Sequence, residues 1–225
     1  MEVCLFDVDG TLVDSSEPVL LALNKALSEV GLRGVTSGDL GHLVGPPLRR
    51  TLETVVTDRG GRVELTDRLI DRYRLEYRTL SIELAASYSG VATLLDELAG
   101  RTRLGVVTSK PAEYAIPILD ALGFSPMMEV IEGPDLSETE AKPETLARAL
   151  TRLETRVEPR SVAMIGDRRQ DVEAGQSAGV GTIGVTWGFG TRQELLTAGA
   201  DHVVDSPGQI KEIALATHCC VAPPK

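Results

Sequence analysis

The first restriction on the fold is an alternation along the chain. Short aliphatic, β-branched runs at residues 3–6, 104–107, 162–165, 182–185 and 202–204 are mostly separated by helical patterns, among them 91–99, 112–122, 145–153 and 171–178. Apolar runs of this kind suit strands buried on both faces. Strands that alternate with helices build a parallel sheet covered on each side. The expected fold is therefore α/β, with a Rossmann-like parallel core. In such sheets ligands sit beyond the carboxyl ends of the strands, so polar residues just after each run become candidate site residues.

One stretch interrupts the alternation. Residues 15–85 carry helical patterns and no convincing strand. Leu20, Leu23, Leu27 and Val30 form one apolar stripe; Leu65, Leu69, Tyr73, Tyr77 and Leu80 form another. Shorter helices are expected over 36–43 and 48–56, with breaks at Gly31, Gly34, Gly60 and Gly61. The division expected is an α/β core from residues 1–14 and 86–216, a small helical domain from 15–85 inserted after the first strand, and a tail from 217–225. A continuous α/β domain with extra helices is the simpler alternative.

Composition excludes more than it assigns. A chain of 225 residues with 42% hydrophobic and 25% charged residues is ordinary for a folded protein. No run of about 18 uncharged apolar residues suggests a membrane span. No secretory signal pattern opens the sequence, so a cytoplasmic location is expected. The net charge of −10, without a basic stripe, argues against nucleic-acid binding. Cys4 reads as a small core residue, and the adjacent Cys219 and Cys220 as part of a bland tail. His42, His202 and His218 have neither zinc-ligand spacing nor an accompanying Gly-x-Ser-x-Gly nucleophile motif.

The strongest chemical signal is Phe6-Asp7-Val8-Asp9-Gly10-Thr11, directly after the first run. Strand alternation would put Asp7 and Asp9 on one side at the strand tip. Two carboxylates so close repel unless a cation or a shared proton intervenes. A hard cation with oxygen ligands, most simply Mg²⁺, meets that need and also binds phosphate. Gly10 permits the sharp turn. By itself the motif could equally be an Asx-capped turn or a calcium loop.

Three later signals also lie at strand ends. Thr108-Ser109-Lys110-Pro111 brings hydroxyls and backbone N–H groups to the start of a helix, a natural phosphate setting, though helix capping would use the same residues. Lys142-Pro143 precedes a helical pattern and could be a solvated loop lysine. Gly166-Asp167-Arg168-Arg169-Gln170-Asp171 could supply one metal ligand and one orienting carboxylate, or simply an acidic helix N-terminus.

Taken together, Asp7-x-Asp9-Gly10-Thr11, Thr108, Lys142 and Gly166-Asp167-xxx-Asp171 resemble the four signature motifs of the haloacid-dehalogenase-like superfamily. The helical stretch resembles that superfamily's small helical cap. Gly45-Pro46-Pro47-Leu48 and Thr108-Ser109-Lys110-Pro111 resemble its phosphoglycolate-phosphatase-like branch. The likeness covers residues 1 to about 214.

The resemblance implies a Mg²⁺-dependent phosphatase acting on a small phosphorylated metabolite, without nucleic-acid or membrane partners, as a monomer or homodimer. Asp7 would be the nucleophile and Asp9 the general acid, then base. Thr108 and Lys142 would hold the phosphoryl oxygens, with Gly10, Thr11 and Ser109 lining the substrate. The metal group would be Asp7, Asp9 through its carbonyl, Asp167 and Asp171, the last as support or as the group that orients Lys142. Arg49 or Arg50, beside Pro46-Pro47-Leu48, would meet a second anionic group, unless both face solvent. Asp9 weighs against a dehalogenase. A sugar phosphomutase keeps both aspartates, and a non-catalytic binding protein on the same scaffold is the reading from another class.

Overall fold

The computed structural model describes residues 1–153 and 158–216. Cys219, Cys220, His218 and the expected tail lie outside them. Strand β1 (Val3–Phe6) is followed by four helices: α1 (Ser16–Glu29), α2 (Leu40–Leu43), α3 (Leu48–Asp58) and α4 (Thr66–Glu83). Then come α5 (Val91–Leu98), β2 (Arg103–Val107), α6 (Ala112–Ala121), β3 (Val130–Glu132) and α7 (Lys142–Arg152). The described chain continues with β4 (Val162–Gly166), α8 (Arg169–Ala178), β5 (Gly181–Val185), α9 (Arg192–Ala198), β6 (His202–Val204) and α10 (Pro207–Leu215).

The strands form one sheet in the order β3-β2-β1-β4-β5-β6, and every pairing is parallel. This is the expected α/β core. β1 is central and wholly buried. Its Phe6 lies between Val106 of β2 and Ile165 of β4, so the residues that follow these three strands emerge side by side. The chain runs outward to one edge from β1 and then returns through β4 to the other. That reversal opens a crevice at the carboxyl ends of β1, β2 and β4.

Alternate side chains of β1 serve opposite faces. Cys4 and Phe6 pack with Leu95, Ile118, Ile165 and Ile210 on one side; Val3 and Leu5 pack with Leu146, Met164 and Ala174 on the other. Burial pushes the Cys4 thiol up to about 12, which agrees with a core role. One strand, β3, has no counterpart among the expected runs, and β2, β4 and β5 are each one residue longer than their runs. β3 has three residues, one of them the buried Glu132, which pairs with Arg148 at 2.6 Å and Arg152 at 2.7 Å. A charged residue in so short a run hides the strand pattern.

The segment between β1 and α5 is helical, with its own core. Leu23 and Leu27 of α1 meet Leu52 and Val56 of α3 and Leu69 of α4. A smaller cluster joins this layer to the sheet domain: Val19, Val44 and Tyr77 pack on Tyr114 of α6. The two crossings are pinned where Val13 bridges Ser87 and Asp14 N–H donates to Ala86 O at 2.9 Å. The helices therefore lie over the strand ends.

Leu27→Ala, which empties a fully buried position in the helical layer, is expected to cost about 2–5 kcal/mol. Leu75→Ala, at a side chain 61% exposed on α4, should stay within about 0.5 kcal/mol. Urea denaturation followed by circular dichroism measures both.

Candidate active site

Lys142, the first residue of α7, is buried among carboxylates. Its ammonium lies 2.9 Å from Asp7 Oδ2 and also bonds Asp171 Oδ1. Asp7 leaves β1 with its backbone N–H on Ile165 O, and its Oδ1 accepts the Val8 N–H at 2.7 Å. Asp171 sits in the first turn of α8, where its Oδ2 accepts the Arg168 N–H at 2.9 Å. Asp167 follows β4, and its Oδ2 accepts N–H bonds from Phe189 at 2.7 Å and Gly190 at 3.3 Å. The carboxylates of Asp7, Asp167 and Asp171 each offer an oxygen within 4.8 Å of the others, and all three residues are buried.

The backbone makes room for this convergence. Gly10 turns at φ +80°, and a Cβ there would overlap the Asp167 carboxylate. A Cβ on Gly188 would strike both Gly10 O and that carboxylate. The 186–190 loop thus presses its N–H groups onto Asp167 because it has no side chain at the contact.

Three carboxylates against one ammonium leave two negative charges in excess when all are ionised. Like charges at this separation cost on the order of 3–4 kcal/mol per pair near a protein surface, and more in the interior. Burial, then Asp171 and Asp7, push Asp167 up to about 8. Burial raises Asp171 too, against the pull of Lys142. Burial alone would lower the Lys142 ammonium, but Asp171 and Asp7 outweigh it and hold it above its ordinary value. Asp167 Oδ1 has no hydrogen-bond partner among the described residues. An all-oxygen group with this excess charge and an orphaned oxygen fits a hard divalent cation.

Asp9 lines the inner cavity beside Asp7, as expected, but its side chain is not part of the three-carboxylate group. β1 ends at Phe6, so residues 7–9 lie in a turn where strand alternation no longer applies. Its carboxylate stands apart from the three-carboxylate group and pairs with Lys110 at 2.9 Å, while its Oδ1 has no hydrogen-bond partner among the described residues. Lys110 also bonds the Tyr77 hydroxyl from the helical layer, 4.5 Å from that ring's centre. Thr108 and Ser109 line the same cavity as Asp7 and Asp9, and Thr108 Oγ1 accepts the Lys110 N–H at 3.1 Å. Thr11 is buried beside them, its carbonyl accepting from Trp187 Nε1 at 3.1 Å.

Arg49 is not brought to the site. Its side chain is 60% exposed, bonds Asp67 at 2.7 Å and lines neither of the two main cavities. Arg50, the other expected candidate, lines an outer cavity of about 840 Å³ that adjoins the inner one. Arg49 and Arg50 point apart because successive residues on α3 are not neighbours on its surface. Arg168, which follows Asp167, reaches the helical layer, donating to Val44 O at 2.5 Å, and also pairs with Glu194 at 3.1 Å. Lys110, Tyr77 and the Phe189 and Gly190 amides were also missed. Two of these act through backbone N–H groups, which no residue letter announces.

The model of the haloacid dehalogenase-like hydrolases matches residues 4–185. A tyrosine-protein kinase, PtkA, of Mycobacterium tuberculosis is 33% identical over 215 residues, covering 94% of this chain and 71% of that protein. A phosphoglycolate phosphatase of Aquifex aeolicus is 31% identical over 191 residues, 84% of this chain and 86% of that one. The crystal structure of a predicted phosphatase from Clostridium acetobutylicum superposes with a TM-score of 0.83 at 29% identity, covering 96% and 98% of the two chains.

Asp167→Asn removes one charge from the group and keeps its shape. In chelator at pH 7 the variant is expected to melt above the wild type, by about 2–4 °C for each kcal/mol recovered. A carboxyl whose native pKa is raised costs stability as pH climbs from its ordinary value of 3.8 to about 8, so the gap should widen across that window. Added Mg²⁺ should raise the melting temperature of the wild type and not of Asp167→Asn; differential scanning fluorimetry reads all of these.

Proposed function

The chain belongs to the haloacid dehalogenase-like hydrolases, and from that we propose that it is a Mg²⁺-dependent phosphatase that hydrolyses small phosphate monoesters through a phosphorylated Asp7. The observation that carries this reading is the meeting of Asp7, Asp167, Asp171 and Lys142 at the carboxyl ends of β1 and β4.

In this reading an Asp7 oxygen attacks phosphorus and the bond from phosphorus to the alcohol oxygen breaks. Asp9 gives its proton to the departing alcohol. It then takes a proton from the water that attacks the same phosphorus, releasing phosphate and restoring Asp7. Asp9 suits this exchange because its Oδ1 lacks a hydrogen-bond partner and its carboxylate lines the inner cavity. Lys142 offsets the charge of Asp7, so that a phosphate dianion can approach it. Thr108 accepts a backbone hydrogen bond, which leaves its O–H to donate to a phosphoryl oxygen, and Ser109 adds a second hydroxyl. Holding charge on those oxygens is the main catalytic task in phosphoryl transfer.

Mg²⁺ bound by the Asp7 and Asp167 carboxylates and the Asp9 carbonyl would neutralise phosphoryl charge. Asp171, held by Lys142 and the Arg168 N–H, is assigned to orienting Lys142. The 186–190 loop fixes the Asp167 carboxylate. Residues 15–85 are assigned as the cap that excludes water and chooses the alcohol.

A phosphate-release screen over a panel of phosphorylated metabolites, with Mg²⁺ and with chelator, tests the reading. Release is expected with Mg²⁺, to be lost in chelator, and to fall about 10³-fold or more in Asp7→Asn while Leu75→Ala is unaffected. An isomerised sugar phosphate without net release would point to a mutase instead. Undiminished release by Asp7→Asn would exclude Asp7 as nucleophile.

A further inference from the structure

Among the described residues only one non-glycine has a positive φ, Glu138 at +53°. Left-handed backbone at a residue of this type carries strain and needs compensation from its surroundings. The compensation is visible. Glu138 stands in the loop before Lys142 and reaches across to the helical layer. Its Oε2 accepts the Leu48 N–H at the start of α3 at 2.8 Å, and its Oε1 pairs with Arg74 of α4 at 3.0 Å. The side chain is 13% exposed and lines the inner cavity that holds Asp7 and Asp9.

A helix N-terminus and an arginine together form the setting a substrate carboxylate would use. Here the chain's own carboxylate fills it. The other cations of the inner cavity are engaged as well: Lys110 with Asp9, Lys142 with Asp7 and Asp171, and Arg168 with Glu194. Apart from the Thr108 and Ser109 hydroxyls and Gln170, whose Oε1 has no hydrogen-bond partner among the described residues, what remains facing a leaving group is apolar or aromatic, chiefly Val44, Pro46, Tyr73, Tyr77, Tyr114 and Phe189, around a space of about 110 Å³.

We propose that Glu138 is a specificity-determining residue: it occupies an anion-binding position of the leaving-group cavity, formed by the Leu48 N–H and Arg74, so that the enzyme selects phosphate esters of uncharged, largely apolar alcohols and rejects those bearing a carboxylate. The inference rests on the phosphatase reading above and narrows it. A carboxylate entering the cavity meets a negative charge and two donors already taken. An uncharged group meets rings and aliphatic side chains. Rejection comes from a repulsive element as much as from missing attraction.

The test compares two esters that differ at the distal group, propyl phosphate and 2-phosphoglycolate, in the full chain with Mg²⁺. The quantity read is the ratio of kcat/KM for phosphoglycolate to that for propyl phosphate, which cancels shared effects on folding and chemistry. The wild type is expected to favour propyl phosphate. Glu138→Gly relieves the backbone strain, frees the Leu48 N–H and leaves Arg74 without its carboxylate but still held toward the cavity by its bond to Leu136 O at 2.7 Å, and should raise the ratio about tenfold or more, mainly through KM for phosphoglycolate. Arg74→Ala in the Glu138→Gly background should return the ratio toward its starting value. Glu138→Gln keeps the bulk and removes the charge; it should shift the ratio in the same direction by less, and serves if the glycine variant does not fold. Variants that hydrolyse propyl phosphate with an unchanged ratio overturn the assignment of Glu138 alone. No release from either ester, or from any of the screened metabolites, by the wild type overturns the phosphatase reading, and this inference with it.

Discussion

Three buried carboxylates gathered around one lysine are the constraint on which the rest of the structure depends. Such a group is costly to assemble, because each charge is taken from water and set against its neighbours. The sheet supplies the means. β1 lies between β2 and β4 with their ends in register, so Asp7 and Asp167 are delivered by rigid, adjacent strands. The helices that follow deliver Lys142 and Asp171 from their first turns. Nothing in this geometry requires a flexible loop to find its place, apart from the glycine-rich 186–190 segment that clasps Asp167.

The helical layer completes the site by a different logic. It adds no carboxylate to the buried group. It contributes polar contacts at the rim: Tyr77 to Lys110, the Val44 carbonyl to Arg168, and the Leu48 amide and Arg74 to Glu138. Each joins a core residue near the reacting groups to a residue over the cavity. The structure therefore separates the buried carboxylate group, held by the sheet, from the cavity wall above it, to which the helices contribute.

Much of this was legible in the residues. Asp7, Asp167, Asp171 and Lys142 all fall just after apolar runs or at helix starts, where hydrophobic periodicity locates them well. Asp9 was placed beside Asp7 at the strand tip, and both line the inner cavity, but its pairing with Lys110 could not be read because periodicity stops at Phe6. β3 was hidden by its length and by Glu132, whose burial depends on Arg148 and Arg152, residues later in the chain. Arg49 looked suitable by position, yet helical geometry turns it to Asp67 and leaves Arg50 at the outer cavity. Glu138 gave no signal at all, for its meaning lies in a backbone angle and in contacts with residues 48 and 74. Side-chain chemistry at strand ends can be read from order; tertiary pairing and backbone donors cannot.

In the function proposed above, this group lets Asp7 take a phosphoryl group covalently. Quenching the enzyme during turnover of a phosphate ester and reducing it with borohydride converts a phosphorylated aspartate to homoserine, which peptide mass spectrometry can locate. Homoserine is expected at position 7, dependent on substrate and on Mg²⁺. Turnover with position 7 unmodified, or with the mark at another carboxylate, would contradict it.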